Sequence, residues 1–231
     1  MKLVIANKLY SSWSMRPWLA MRALGIPFEE VVIPLRQTDS GPRILAHSPS
    51  GKVPALIDGE IVVWESLAII EYLAERFPDK GVWPKTSAAR AHARAISNEM
   101  HAGFMALRQN CPMNLAKKFA SKAYGADVMA NVARIEAIWA EARSRFGAGN
   151  GGPFLYGQFS AADAMYAPVV TRFETYQLPV SDATRAYMIA VMDHPAFRAW
   201  RSDALAEPRS WDLAGYEEGH VAVEAYPRTG A

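Results

Sequence analysis

The chain has 231 residues, 51% of them hydrophobic and 21% charged, with a formal net charge of +2; that is ample apolar material for a core and excludes a disordered polymer. Nine Lys/Arg oppose nine Asp/Glu up to Lys80, and 16 oppose 14 beyond it, so neither part carries the basic stripe that nucleic acid or an anionic membrane requires. No run of 18 apolar residues occurs, the N-terminus enters its first strand after a single lysine, and the lone Cys111 has no Cys-x-x-Cys partner; together these predict a cytoplasmic protein without an internal disulfide.

The first apolar run, Leu3-Val4-Ile5-Ala6, reads as a buried strand that turns into a helical pattern ending at Leu24-Gly25. Ser11, Ser12 and Ser14 crowd that turn, and Ser14, with Pro17 shortly after it, is the expected N-cap. A helix start of this kind leaves free backbone N–H groups and a positive dipole end, which favour an anion. Phe28 to Ile33 reads as a second strand, giving a right-handed parallel βαβ unit. A weak helical stretch from Thr38 to His47 is interrupted at Gly41-Pro42, and Ser48 to Ile57 carries a turn into a third strand containing Pro54.

Proline cannot donate to a ladder, so Pro54 belongs at an edge, a bulge or a strand start. The residues alone favour a trans proline opening the strand; a cis Val53–Pro54 bond would turn the backbone of Val53 toward a ligand. Asp58-Gly59 is a hairpin signal, Ile61 to Trp64 the returning strand, and Glu65-Ser66 the start of a helix with Leu67, Ile70, Leu73 and Phe77 on one face, ended by Pro78. The first eighty residues therefore read β-α-β-α-β-β-α, a mixed four-stranded sheet with helices on its faces, followed by a turn-rich linker.

Beyond the linker no strand is predicted. Ala88 to about Asn110 reads as one helix with Ile96, Met100, Phe104 and Leu107 in a stripe, and Ala126 to Phe146 as another with Val128, Val132, Ile135 and Trp139. Ser160 to Asp163 has capping-box spacing and opens a helix toward Thr175, in which Asp163 is structural. Shorter helices fill Asp182 to Met192 and Pro195 to Leu205, and the tail after Pro208, without periodicity, either wraps the surface or stays loose.

Several chemistries lack their residues. Gly51-Lys52 is no phosphate loop, since Ala46 and Val53 stand where glycine and Ser/Thr are needed, and no Gly-x-Ser-x-Gly elbow is present. The histidines at 47, 92, 101, 194 and 220 have no metal-ligand spacing, so no metal is expected.

Four stretches in this order carry a resemblance: Tyr10 to Arg16 after the first strand, Ser48 to Leu56, Trp64 to Ile69, and Ser160 to Asp163. Over about residues 1 to 205 the chain resembles the soluble glutathione S-transferase superfamily, and its Ser-Ser-x-Ser-x-Arg run looks most like the serine-type, zeta-like bacterial members. The zeta pattern reads Ser-Ser-Cys-Ser-Trp-Arg; here Trp13 replaces the cysteine, and Pro17-Trp18 follow the arginine in place of Val-Arg. The resemblance implies a thioredoxin-like, glutathione-binding domain over 1–80 with a cis Pro54, a linker at 81–86, an all-helical domain over 87–231 that walls the electrophile site, and a homodimer. Carried residue by residue, it makes Ser11 the thiolate-activating hydroxyl, with Ser12 the rival. It also implies glutathione contacts from Lys52, Val53, Pro54, Glu65 and Ser66. Tyr10, Trp13, Met105 and Arg108 are the candidates for the electrophile wall, chosen by their place in the chain.

The implied activity is transfer of glutathione, the co-substrate, to an apolar electrophile. The departures from the zeta run leave glutathione-dependent isomerisation of the maleylacetoacetate type, or dehalogenation, as alternatives, and no cysteine is in place for disulfide chemistry. A non-catalytic glutathione-binding module is the alternative from another class.

Overall fold

The computed structural model describes residues 1–230; Ala231, the last residue of the expected helical domain, lies outside them. Strand β1 (Lys2–Ile5) is central in a four-stranded sheet of order β2-β1-β3-β4. It pairs in parallel with β2 (Glu29–Val32), Leu3 opposite Glu30, and antiparallel with β3 (Ala55–Asp58), Leu3 opposite Leu56. Leu3, Val4 and Ile5 are completely buried, which is why this short run has no polar alternation. β4 (Ile61–Trp64) returns through the Asp58-Gly59 turn and leaves Ile61 and Trp64 exposed at the edge. Helices α1 (Ser12–Ala23), α2 (Ser40–Leu45) and α3 (Ser66–Arg76) complete this thioredoxin-like part.

The N-cap of α1 is Ser11, not Ser14: its Oγ accepts the Ser14 N–H at 3.3 Å. Ser14 lies inside the helix and its Oγ accepts the Ala6 N–H at 3.1 Å, tying the end of β1 to the first turn. Pro17 consequently falls in the second turn. Gly41-Pro42 do not interrupt α2; they form its first turn, where the missing proline N–H has no helical partner to lose.

The second half holds α4 (Ser87–Ala102), α5 (Met105–Asn110), α6 (Ala126–Ala142), α7 (Ala161–Thr175), α8 (Asp182–Asp193) and α9 (Pro195–Leu205). The single helix expected over 88–110 is two helices, because Phe104, at φ +60°, turns the chain between α4 and α5. The 126–146 helix ends at Ala142 in a wider turn of five residues. The expectation of no further strand is also corrected: β5 (Lys117–Phe119) pairs antiparallel with β6 (Ala222–Ala225) of the tail. Lys117-Lys118-Phe119 is not an apolar run and Ala222–Ala225 is exposed along its whole length, so neither carries the apolar signal that marked the first four strands.

Helix α7 is the axis of this half. All its residues but Glu174 are buried, it packs on α1 and α4, and Trp139 of α6 sits against its Tyr166 and Phe173. Such a helix is buried on every side because every side meets protein. Asp163 at its start is fully buried; its carboxylate accepts the N–H groups of Leu155 (3.0 Å) and Ser160 (2.9 Å) and the hydroxyls of Ser160 and Tyr187.

The tail wraps the surface and clamps the segment after β1. The Glu207 carboxylate accepts the N–H groups of Lys8 and Leu9, Trp200 donates to the Lys8 carbonyl at 3.0 Å, and Asn7 donates to the Trp211 carbonyl at 3.1 Å. Buried Arg228 pairs with Asp212 and donates to the Glu207 carbonyl. Burial raises the Glu207 carboxyl from 4.5 to about 7 and that of Asp163 from 3.8 to about 6. A carboxyl whose folded pKa exceeds its unfolded one contributes stability at low pH that is lost as pH rises through the folded value. The Asp163 share is spent by about pH 6, so a fall in melting temperature between pH 6 and 8 belongs to Glu207. Glu207→Gln is expected to flatten that limb of a melting-temperature against pH curve; an unaltered limb refutes the assignment.

Candidate functional site

A cavity of about 210 Å³ opens where three distant segments meet: Trp13 from α1, Lys52, Val53 and Pro54 before β3, and Glu65 before α3; His101 of α4 closes it. The Val53–Pro54 bond is cis, correcting the trans expectation drawn from the residues alone and agreeing with the family resemblance. Val53 precedes the ladder, so its backbone has no strand partner. Glu65 has φ +69°, a left-handed value that costs a non-glycine residue roughly 1–3 kcal/mol. This kink ends β4 and makes Ser66 the first residue of α3. Ser66 Oγ is completely buried and has no hydrogen-bond partner among the described residues. Neither α1 nor α3 has an acidic residue within its first turn; at α3 the N-cap is Glu65, which makes no side-chain cap hydrogen bond, so only the α1 start is without any acidic neighbour.

The serines are placed differently from the expectation. Ser11 Oγ donates to Ser14 Oγ at 2.8 Å, so its proton is committed within the helix cap. Ser12 Oγ accepts from Arg172 Nη2 at 3.3 Å, and its own proton has no protein acceptor among the described residues. Neither serine lines the cavity; Trp13, next in the chain, does.

Of the electrophile-wall candidates, Trp13 and Arg108 come together, the guanidinium carbon 4.4 Å from the indole centroid. Tyr10 is turned to the tail, edge-on to Tyr216 at 5.0 Å, and Met105 is half exposed on the outer surface, lining none of the cavities described.

The sequence reading missed three residues. His101 is edge-on to Trp13, with Nε2 3.7 Å from the Glu65 carboxylate; burial and then the Arg16 charge lower its pKa, and its buried Nδ1 is unpartnered. A lone histidine beside a core stripe gives no signal in sequence. Arg16 and Arg172 are almost fully buried. Arg172 was visible in principle, as the one cation in the otherwise apolar run from Ala161 to Phe173 apart from its capping Asp163. Among the described residues no cluster of His, Cys, Asp and Glu is arranged to hold a metal ion.

A family model described as glutathione S-transferase, N-terminal domain matches residues 10–76, and one described as glutathione S-transferase, C-terminal domain matches residues 88–202. The chain belongs to the glutathione S-transferase family. Among the transferase's relatives, a probable maleylacetoacetate isomerase of Caenorhabditis elegans is 28% identical over 206 residues, 84% of this chain and 92% of the relative. A zeta-class glutathione S-transferase of Euphorbia esula is 36% identical over 97 residues, 42% of this chain and 41% of the relative. Among solved structures, a Burkholderia glutathione transferase homolog with bound glutathione superposes with a TM-score of 0.65 at 20% identity, covering 88% of this chain and 96% of that one. At that identity the superposition speaks for the fold: the thioredoxin-like sheet and the helical half are those of a glutathione transferase.

Proposed function

We propose that this transferase activates glutathione as its thiolate and conjugates it to an electrophilic small molecule, using residues 1–80 for the tripeptide and 87–231 for the electrophile. The observation that carries this reading is the convergence of Trp13, Lys52, Val53, Pro54 and Glu65, from three separate segments of the chain, on one cavity. Lys52 meets a glutathione carboxylate, the free backbone of Val53 pairs with the cysteinyl unit, and Glu65 with Ser66 holds the γ-glutamyl end. The unpartnered, buried Ser66 hydroxyl at a helix start is a donor that lacks only its acceptor.

A free thiol has a pKa near 8.5, so only a few per cent is ionised at neutral pH. Serine is too weak a base to remove that proton, but its hydroxyl stabilises the thiolate once formed. A hydrogen bond to a charged group is worth about 1.5–3 kcal/mol, against about 1.4 kcal/mol per pKa unit. We assign this role to Ser12, because its proton is uncommitted and the Arg172 guanidinium on its oxygen polarises it, whereas Ser11 is engaged in the cap.

The test is retention on immobilised glutathione with elution by free glutathione, followed by a panel of aryl halide, epoxide, isothiocyanate and peroxide substrates. A chain that does not bind refutes the reading. Lys52→Ala is expected to raise KM for glutathione about 5–30-fold with kcat changed less than about twofold, the signature of a lost ground-state contact. Isomerisation on the same thiolate is the second reading, supported by the worm relative; a maleylacetoacetate-type substrate in the same panel separates the two. A homodimer through the edge that exposes Ile61 and Trp64, and a cytoplasmic location, accompany the proposal; sedimentation at varied concentration tests the first.

A further inference from the structure

The turn that leads into Ser11 and Ser12 is held from the far end of the chain. The Asn7 carbonyl accepts the N–H groups of Tyr10 (3.2 Å) and Ser11 (2.9 Å), which closes the turn and leaves the amides of Lys8 and Leu9 without a backbone acceptor. The Glu207 carboxylate takes both, one oxygen to each. Successive N–H groups in a turn form a concave site for an anion; here the chain supplies its own. Trp200 Nε1 donates to the Lys8 carbonyl at 3.0 Å, and Lys8 Nζ donates to the Asp203 carboxylate at 2.6 Å. Residues 200, 203 and 207 are three and four positions apart, so α9 and the residues just after it present one face to the turn. The match to the family's C-terminal domain ends at residue 202, which leaves Asp203 and Glu207 outside it.

A buried carboxylate is a poor source of net stability, because its lost hydration offsets what its contacts return. What two bonds from one rigid group do supply is orientation: they fix the rotation of the turn as well as its place. We infer that Glu207 is a positioning residue for the transfer reaction, setting through the Lys8 and Leu9 amides where the serine hydroxyl meets the glutathione sulfur. The inference rests on the thiolate reading above and holds for either serine, since both follow the turn directly. A group that stabilises developing charge has to be held within about 0.5 Å, and a displacement of 1 Å can lower a rate about 100-fold. The contacts assigned to the tripeptide, at Lys52, Val53, Glu65 and Ser66, come from other segments. Loosening the turn therefore acts on thiol ionisation and leaves tripeptide affinity in place.

Two measurements separate these effects without an electrophile. Ultraviolet titration of bound glutathione reads the thiol pKa, and calorimetry with S-methylglutathione at pH 8 reads tripeptide affinity with no thiol to ionise. Glu207→Ala is expected to raise the apparent thiol pKa by about 1 unit, a tenfold loss of the thiolate-to-thiol ratio, with the Kd for S-methylglutathione within threefold of wild type. Glu207→Gln keeps an acceptor for one amide and is expected to shift the pKa by less than half as much; it gives the answer by itself if the alanine variant does not fold. Asp163→Asn, which loosens α7 and leaves the turn alone, is expected to move the thiol pKa by less than about 0.2 units and so reports what general destabilisation does. A thiol pKa unmoved by both Glu207 variants, or moved equally by Asp163→Asn, overturns the positioning role. Wild-type protein that does not bind S-methylglutathione overturns the glutathione reading and this inference with it.

Discussion

Ser12→Ala is expected to raise the apparent pKa of bound glutathione by about 1–2 units and to lower kcat at neutral pH roughly 10–100-fold, the worth of one hydrogen bond to a charged sulfur. Ser11→Ala is expected to act on a different observable. It removes the N-cap of α1 and the bond to Ser14, so it costs about 0.5–2 kcal/mol of stability while the thiol pKa moves little. Titration of the thiolate ultraviolet absorbance, with melting curves on the same samples, separates the two roles. If Ser11→Ala moves the thiol pKa and Ser12→Ala does not, the cap residue is the donor and the assignment made here fails.

Asp163→Ala is expected to be the most destabilising single change away from the cavity. The carboxylate serves two backbone N–H groups and two hydroxyls in a fully dry site, and alanine strands all four. Loss of such a network costs about 3–5 kcal/mol, a large share of the 5–15 kcal/mol typical of a folded domain. At roughly 2–4 °C per kcal/mol for a chain of this size, the melting temperature is expected to fall by about 10 °C. Asp163→Asn keeps one acceptor oxygen and is expected to fall between the two. A loss below about 1 kcal/mol for the alanine variant means that water or a rearranged Tyr187 replaces the carboxylate.

Local chemistry was readable wherever one residue type decides a local outcome. Asp58-Gly59 makes the hairpin, the Ser160 to Asp163 box starts α7, and the 182–192 and 195–205 patterns become α8 and α9 nearly to the residue. The mixed sheet followed because its strands are short apolar runs bounded by turn formers. What stayed hidden depends on partners far along the chain. The split between α4 and α5 comes from the left-handed turn at Phe104, a residue with no propensity for it. Ser11 displaced Ser14 as the cap because Ser14 Oγ is wanted by Ala6. Within the site, Lys52, Val53, Pro54 and Glu65 converge as the motifs implied, while His101, Arg16 and Arg172 owe their importance to α4, α1 and α7 meeting in space.

The clamp on the segment after β1 has an implication for biosynthesis. The carboxylate that satisfies the Lys8 N–H stands 199 positions downstream. A ribosome adding roughly 5–20 residues per second needs about 10–40 s to cover that distance. Throughout that interval the loop leading to the start of α1 waits with open amides, so the opening sheet can assemble early yet the segment that follows it is fixed only when the last part of the polypeptide emerges.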